Sequence, residues 1–153
     1  PWLRAGQPLQ SALNTYTTVL RRDEPVKLSF FGGLSLGRVG QPERTDDNVL
    51  SVASALDLAA TKVAVIQQRA EKRDYLDVAC LLRAGLRLSD MLGAARALYR
   101  DQFNPMISLK ALCYFQDGDL PELPAEVKDF LAMQAGEVKG IPDLPRASDR
   151  VTA

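Results

Sequence analysis

The chain contains no histidine. That absence removes Ser-His-Asp and Cys-His nucleophile systems, imidazole metal ligands and histidine general bases. Cysteine is scarce as well: Cys80 and Cys113 are its two thiols. Two thiols without CxxC spacing build neither a zinc cage nor a disulfide framework, and the expected compartment is the reducing cytoplasm. Neither charge sign is in excess, with 19 Lys plus Arg against 19 Asp plus Glu. A net charge of zero announces neither nucleic acid nor an anionic membrane, although a local basic patch is compatible with it. Long apolar runs are missing too. Val63 to Ile66 and Val78 to Leu82 fall far short of the roughly 20 apolar residues a bilayer span needs, so no membrane partner is expected.

What is present is the material of an ordinary folded domain. The chain has 153 residues, 46% hydrophobic and 25% charged, enough to bury roughly 70% of its surface on folding. Pro1-Trp2-Leu3-Arg4 has neither an initiator Met nor a signal-peptide pattern, which raises the expectation of a piece of a longer chain. Trp2 is expected to be a core or interface anchor.

The first third reads as β. Thr15 to Leu20 is rich in β-branched and aromatic residues, and Val26 to Phe31 begins with the alternation of a half-buried strand. Arg21 to Pro25 is the polar turn between them. Leu34 to Val39 and Val49 to Ala53 are candidates for two further short strands. The remainder reads as α. Ser54 with Asp57 is a near capping box, opening a helix to about Arg69. A second helix covers about Tyr75 to Arg83 and stops at Gly85. A third opens at Ser89 and runs to about Arg100. A fourth runs from Met106 to Tyr114 behind Asn104-Pro105, and a fifth begins near Ala125 and fades at Gly136 or Gly140. Strands first and helices after define an α+β fold: a small antiparallel sheet followed by about five helices. Three segments follow, a β-rich 1–53, a helical 54–140 and an extended or frayed tail 141–153.

One motif misleads. Phe31-Gly32-Gly33 followed by Asp46-Asp47-Asn48 has the outline of a glycine strand end leading to paired metal-binding acids. However, Gly37, Gly40 and Pro42 make the intervening segment a poor helix. Adjacent aspartates on a strand point to opposite faces, and Asn48 is a weaker ligand than a carboxylate. The segment reads as a strand end and a solvated loop.

The stretch from Asp57 to Leu82 is more informative. At 100° per residue Lys62 and Arg69 line up two turns apart, on the border of the apolar stripe. Asp74 and Asp77 share a face with Val78 and Leu81, beside a packing surface. Two cations and two anions are thus directed toward one partly covered region. One reading is structural, with Asp74 as N-cap, Asp77 as its partner and Lys62 lying along the core edge. The other is a site in which Lys62 and Arg69 bind phosphate and Asp74 is a base or an anchor for the cations. Arg69, Lys72 and Arg73 form a basic cluster that is either solvated or in contact with RNA phosphate. Tyr114-Phe115, beside Asp117 and Asp119, either packs in the core or stacks a base. Cys80, between Ala79 and Leu81, reads as a small buried hydrophobe.

Asp57-Leu58-Ala59-Ala60-Thr61-Lys62, Gln67-Gln68-Arg69 and Arg73-Asp74-Tyr75-Leu76-Asp77 together resemble the C-terminal half of the AbiEii-type nucleotidyltransferase toxin family. Leu81-Leu82 with Gly85-Leu86-Arg87-Leu88, and the run from Leu109 to Leu120, follow in the family's order. The resemblance covers roughly residues 26 to 132. It implies a polymerase-β-like nucleotidyltransferase of a toxin–antitoxin or phage-exclusion system that uses NTP and Mg²⁺, some members acting on tRNA. Residues 1–53 would then be the end of a nucleotidyltransferase-like sheet. Lys62 would act near the triphosphate, Asp74 or Asp77 would be the late acidic residue, and Arg69 and Arg73 would contact substrate. An antitoxin protein is the implied partner. The family's metal-binding motif lies N-terminal to the matched stretch and is absent from these residues. The expectation is therefore a C-terminal part, inactive alone, with no metal of its own. Its exposed sheet edge would pair with another copy or with a lost segment. The competing expectation is a non-catalytic module that holds a partner protein with the helix pair.

Overall fold

The computed structural model describes residues 4–5, 8–21, 24–33 and 36–150. The chain divides into two compact units, Pro1–Ser35 and Leu36–Ala153. The fold class is the α+β arrangement expected, an antiparallel sheet followed by five α-helices.

In the first unit, β3 (Thr15–Arg21) is central. It pairs along its whole length with β4 (Pro25–Phe31), from Thr15 opposite Phe31 to Arg21 opposite Pro25. β-Branched and aromatic residues suit this pleated pairing. Two short strands, β1 (Arg4–Ala5) and β2 (Gln10–Ala12), run in turn along the other edge of β3. The sequence pattern predicts neither strand. QSA carries no β signal of its own, and β2 is held by a tight turn in which Asn14 adopts φ 60°, a conformation asparagine tolerates. β4 is not the half-buried strand expected: six of its seven residues are exposed. Trp2 lies outside the described residues. So do Leu34 and Ser35 of the expected third strand, and the remainder of that stretch forms only an isolated bridge between Arg38 and Ser148.

The second unit opens with a short hairpin, β5 (Glu43–Arg44) and β6 (Ser51–Val52), the latter inside the expected fourth strand. Asp46 and Asp47 sit in its exposed turn, where Asp47 accepts from Thr45 Oγ1 at 2.5 Å and from Val49 N at 3.1 Å. They are loop residues, as the backbone chemistry of the segment suggested.

The first helix, α1 (Ala55–Val65), starts as read. Ser54 Oγ accepts from Asp57 N at 3.1 Å and donates to Asp57 Oδ2 at 2.8 Å. Asp57 is buried and also accepts from Val39 N and Gly40 N, so the cap pins the preceding loop as well. α1 is shorter than expected and ends in a turn over 66–68. Its Ala59, Ala60, Val63 and Ala64 are buried against the core, and their small size lets neighbouring helices approach closely. α2 (Lys72–Arg83) begins three residues earlier than expected. α3 (Leu88–Tyr99) opens after Arg87, whose side chain pairs with Asp90, so Ser89 is inside the helix and not its cap. α4 (Pro105–Ala111) is capped by Asn104, whose side chain accepts from Met106 N. α5 (Ala125–Gly136) matches its expected start and end.

The tail is irregular but held. Arg96 of α3 donates to the carbonyls of Ile141 and Pro142, and Arg146 donates to that of Ala97 at 2.6 Å and to that of Leu98. Gly93 faces Pro142 so closely that a Cβ would collide with its carbonyl. The segment 141–150, expected to be extended or frayed, is thus irregular and docked on α3 by reciprocal arginine–carbonyl bonds, with Gly93 leaving room for Pro142. Cys80 is exposed rather than buried. It lies on the side of α2 away from Tyr75, Val78, Ala79 and Leu82.

Candidate functional site

Helix phase and the α1–α2 turn bring four of the five expected residues together. Lys62 projects from the last turn of α1. Its ammonium donates to Asp74 Oδ1 at 3.3 Å and lies 2.6 Å from Asp77 Oδ2. Arg69 follows the turn, tied to it by its own N–H on the Val65 carbonyl. Its Nε donates to Asp74 Oδ2 at 2.8 Å. Each oxygen of the Asp74 carboxylate thus accepts from a different cation. Arg73 stands at the rim, 70% exposed, and reaches the cluster only through Glu71. That carboxylate spans Arg73 at 2.8 Å and Arg69 at 3.4 Å.

Asp74 is not the helix cap. Glu71 occupies that position without a side-chain hydrogen bond, and Asp74 is the third residue of α2. The free Lys72 N–H instead donates at 2.5 Å to Asp119, which arrives from the distant segment before a 3₁₀ turn at Leu120–Glu122. Lys72 Nζ then pairs with Glu122 at 2.5 Å. Relieved of capping, Asp74 points inward beside Tyr75 and Val78, with its side chain 1% exposed.

A carboxylate buried so deeply would ordinarily be neutralised. Burial raises the Asp74 carboxyl, but the hydrogen bonds and charges of Arg69 and Lys62 outweigh it and hold the group below the ordinary carboxylate range. Burial likewise works against the Lys62 ammonium, and Asp77 and Asp74 together hold it above the usual lysine value. At neutral pH Asp74, Lys62 and Arg69 are therefore all charged. Asp74 is poorly suited to accept a proton and well suited to aim two cations. Asp77, half exposed, shares Lys62 from the solvent side.

Beyond Arg69 the surface falls into a groove of about 400 Å³ between the end of α1, the start of α2 and α4. Arg69 lines it; Lys62 and Asp74 do not. Gln67 anchors this region: its amide donates to the Asn104 carbonyl at 2.9 Å and to Ser108 Oγ at 2.7 Å, while Ser108 donates to the Val63 carbonyl at 2.6 Å. The sequence offered no local signal for this triangle, whose members are 41 and 45 residues apart along the chain.

No group of three or more Asp, Glu, Cys or His side chains that could hold a metal ion occurs among the described residues. Asp74 has both oxygens engaged by cations, and Asp47 is held within its own turn. The donors present do not fit the Mg²⁺ ion that a nucleotidyltransferase implies.

The arrangement is that of an α+β protein whose first two helices carry an ionised lysine–aspartate–arginine cluster. The chain belongs to the family described as nucleotidyl transferase AbiEii toxin, type IV toxin–antitoxin system, whose model matches residues 10–150. It is similar to an uncharacterized protein of Aquifex aeolicus (strain VF5), with 29% identity over 119 residues, covering 73% of this chain and 57% of the relative. The chain thus spans little more than half the length of the curated relative it matches. No solved structure matches it. No helix among the described residues is long and apolar enough to cross a membrane.

Proposed function

We propose that this chain is the later part of a nucleotidyltransferase toxin, in which Lys62 and Arg69 present positive charge to the phosphates of an NTP and Asp74 aims them. The observation that carries this reading is the two-cation grip on a buried carboxylate: Lys62 at 3.3 Å and Arg69 at 2.8 Å on opposite oxygens of Asp74. Preorganised cations of this kind stabilise charge on a transferring phosphoryl group without reorganising during the reaction. Asp77 tunes Lys62 from the solvent side, and Arg73 extends the positive rim toward an RNA acceptor such as tRNA. The partner is an antitoxin protein, and the location is the cytoplasm, where the two exposed thiols Cys80 and Cys113 would stay reduced. β4, which pairs on one side only among the described residues, offers an edge to a preceding segment or to a second copy.

The paired acids that would hold Mg²⁺ belong to a preceding segment, so the chain by itself is inactive. Incubation with labelled NTP, Mg²⁺ and tRNA tests this. Transfer is expected from a longer gene product that carries a glycine strand end and paired acids, and Lys62→Met in that product should abolish transfer with folding intact. Turnover by this chain alone would refute the division of labour. Full transfer by the Lys62→Met product would refute the role of the lysine.

A further inference from the structure

The groove beyond Arg69 contains chemistry that the Lys62–Asp74 cluster does not use. Its floor is Tyr75, which is 2% exposed. The Tyr75 ring stands edge-on to Phe115 with centroids 6.2 Å apart. Its hydroxyl makes no hydrogen bond to another described residue and is not sealed in the core, so it opens to the groove. Burial, reinforced by the charge of Asp117, pushes that phenol up to about 12, so it remains a donor at any physiological pH. A phenol with a buried ring and a hydroxyl open to a groove is a fixed donor that a ligand can take over from water.

The walls supply the remainder. Ile107, Lys110, Ala111 and Tyr114 follow at helical spacing along and just past α4, and all four line the groove. Lys110 has no ion-pair partner among the described residues, and Arg69, whose guanidinium also holds Asp74 and Glu71, lines the same groove. Tyr114 is 54% exposed, in contrast to its neighbour Phe115, which packs on Tyr75. An exposed aromatic face, two cations and a fixed hydroxyl donor within a few hundred Å³ match a planar, hydrogen-bonding anion of drug-like size.

We propose that this groove binds one unstacked nucleotide, with the base on the Tyr114 ring, the phosphate between Lys110 and Arg69, and a polar edge of base or ribose on the Tyr75 hydroxyl. The choice of a nucleotide among planar anions rests on the family reading above. The groove and its free donors stand without that reading. Asp117, on the same rim, faces a ribose hydroxyl or an exocyclic amine, because a phosphate there would be repelled. Two sources share this chemistry, a free nucleotide and an unpaired residue of an RNA strand.

Fluorescence anisotropy of the whole chain with a fluorescein-labelled single-stranded RNA pentamer tests the proposal, with AMP and inorganic phosphate as competitors. Base–aromatic stacking is worth about 1–3 kcal/mol per base, so Tyr114→Ala should weaken binding about 5- to 150-fold, and Tyr114→Phe should stay within about twofold. Lys110→Gln should weaken binding and reduce the slope of log affinity against log salt by about 0.7. Tyr75→Phe should weaken binding severalfold with an unchanged thermal melt. Competition by AMP identifies the free nucleotide as sufficient, whereas binding of the pentamer without competition by AMP identifies the strand; both support the proposal. Lys139→Gln, outside both the groove and the cluster, should leave pentamer binding unchanged. Transfer by the Lys62→Met longer product reads the chemical site and pentamer binding by this chain reads the groove, so the two can fail separately. No pentamer binding at millimolar concentration, competition by phosphate as strong as by AMP, or indifference to Tyr114→Ala would overturn the proposal.

Discussion

Replacing Asp74 by Asn keeps the shape of the side chain and removes its charge. The carboxylate is 1% exposed and accepts from Arg69 Nε and Lys62 Nζ. In the variant one oxygen becomes an amide that must donate, and it faces a cation. Charge-assisted hydrogen bonds contribute about 1.5–3 kcal/mol each, and breaking an isolated buried pair costs about 3–5 kcal/mol. The cost here is lower, because Lys62 keeps Asp77 at 2.6 Å and the Arg69 side chain, 41% exposed, can turn to Glu71 and water. A loss of about 2 kcal/mol is expected. Urea unfolding followed at 222 nm reads it cleanly, since every α-helix among the described residues lies in the second unit. The pH dependence supplies an independent check. A carboxyl whose folded value is depressed contributes stability above its unfolded value, near 3.8, and that contribution disappears as pH falls through the lower folded value. The difference between parent and Asp74→Asn should therefore be constant from about pH 5 to 8, where the chain has no histidine to titrate, and should shrink below pH 4. A loss under about 0.5 kcal/mol, or a difference unchanged at pH 2.5, would refute the reasoning.

Other perturbations separate neighbouring contacts. Ser108→Ala removes a fully buried hydroxyl that donates to the Val63 carbonyl and accepts from Gln67; a loss of about 1–2 kcal/mol in the same assay is expected. Gly118 adopts φ +56°, and a Cβ there would collide with the Ala70 carbonyl oxygen. Gly118→Ala combines a left-handed backbone with a collision and should cost about 2 kcal/mol or more, with Asp119 displaced from the Lys72 N–H. Cys80 and Cys113 are exposed, so a thiol reagent should label both without denaturant. Protection of Cys80 in the native protein would restore the buried assignment that its sequence neighbours suggested.

The parts of the structure that could be read in advance are those written in local patterns. Ser54 and Asp57 sit three residues apart and form the bond that spacing implies. The alternation of Val26 to Phe31 placed a strand opposite Thr15 to Leu20 but not its exposure, because burial depends on what covers a strand. Face arithmetic put Lys62, Arg69, Asp74 and Asp77 in one region, and they meet there. The role of Asp74 within that region was not legible. An aspartate near the start of a helix is locally indistinguishable from a cap, and the side chain that binds the free Lys72 N–H is Asp119, 47 residues from Lys72. Cys80 misled for a related reason: apolar neighbours in sequence are not neighbours on a helix face, and its phase places it outward. The docking of the tail by Arg96 and Arg146, and the joining of Tyr75 with Lys110 and Tyr114 in one groove, likewise depend on tertiary pairing that no local window records.

A double-mutant cycle of Lys62→Met and Asp74→Asn, measured by urea unfolding, bears most directly on the shared ion pair. Contact at 3.3 Å predicts that the two losses fail to add, with a coupling of about 1 kcal/mol or more. Additivity within about 0.3 kcal/mol would mean that lysine and aspartate do not meet, and the two-cation grip on Asp74 would not exist.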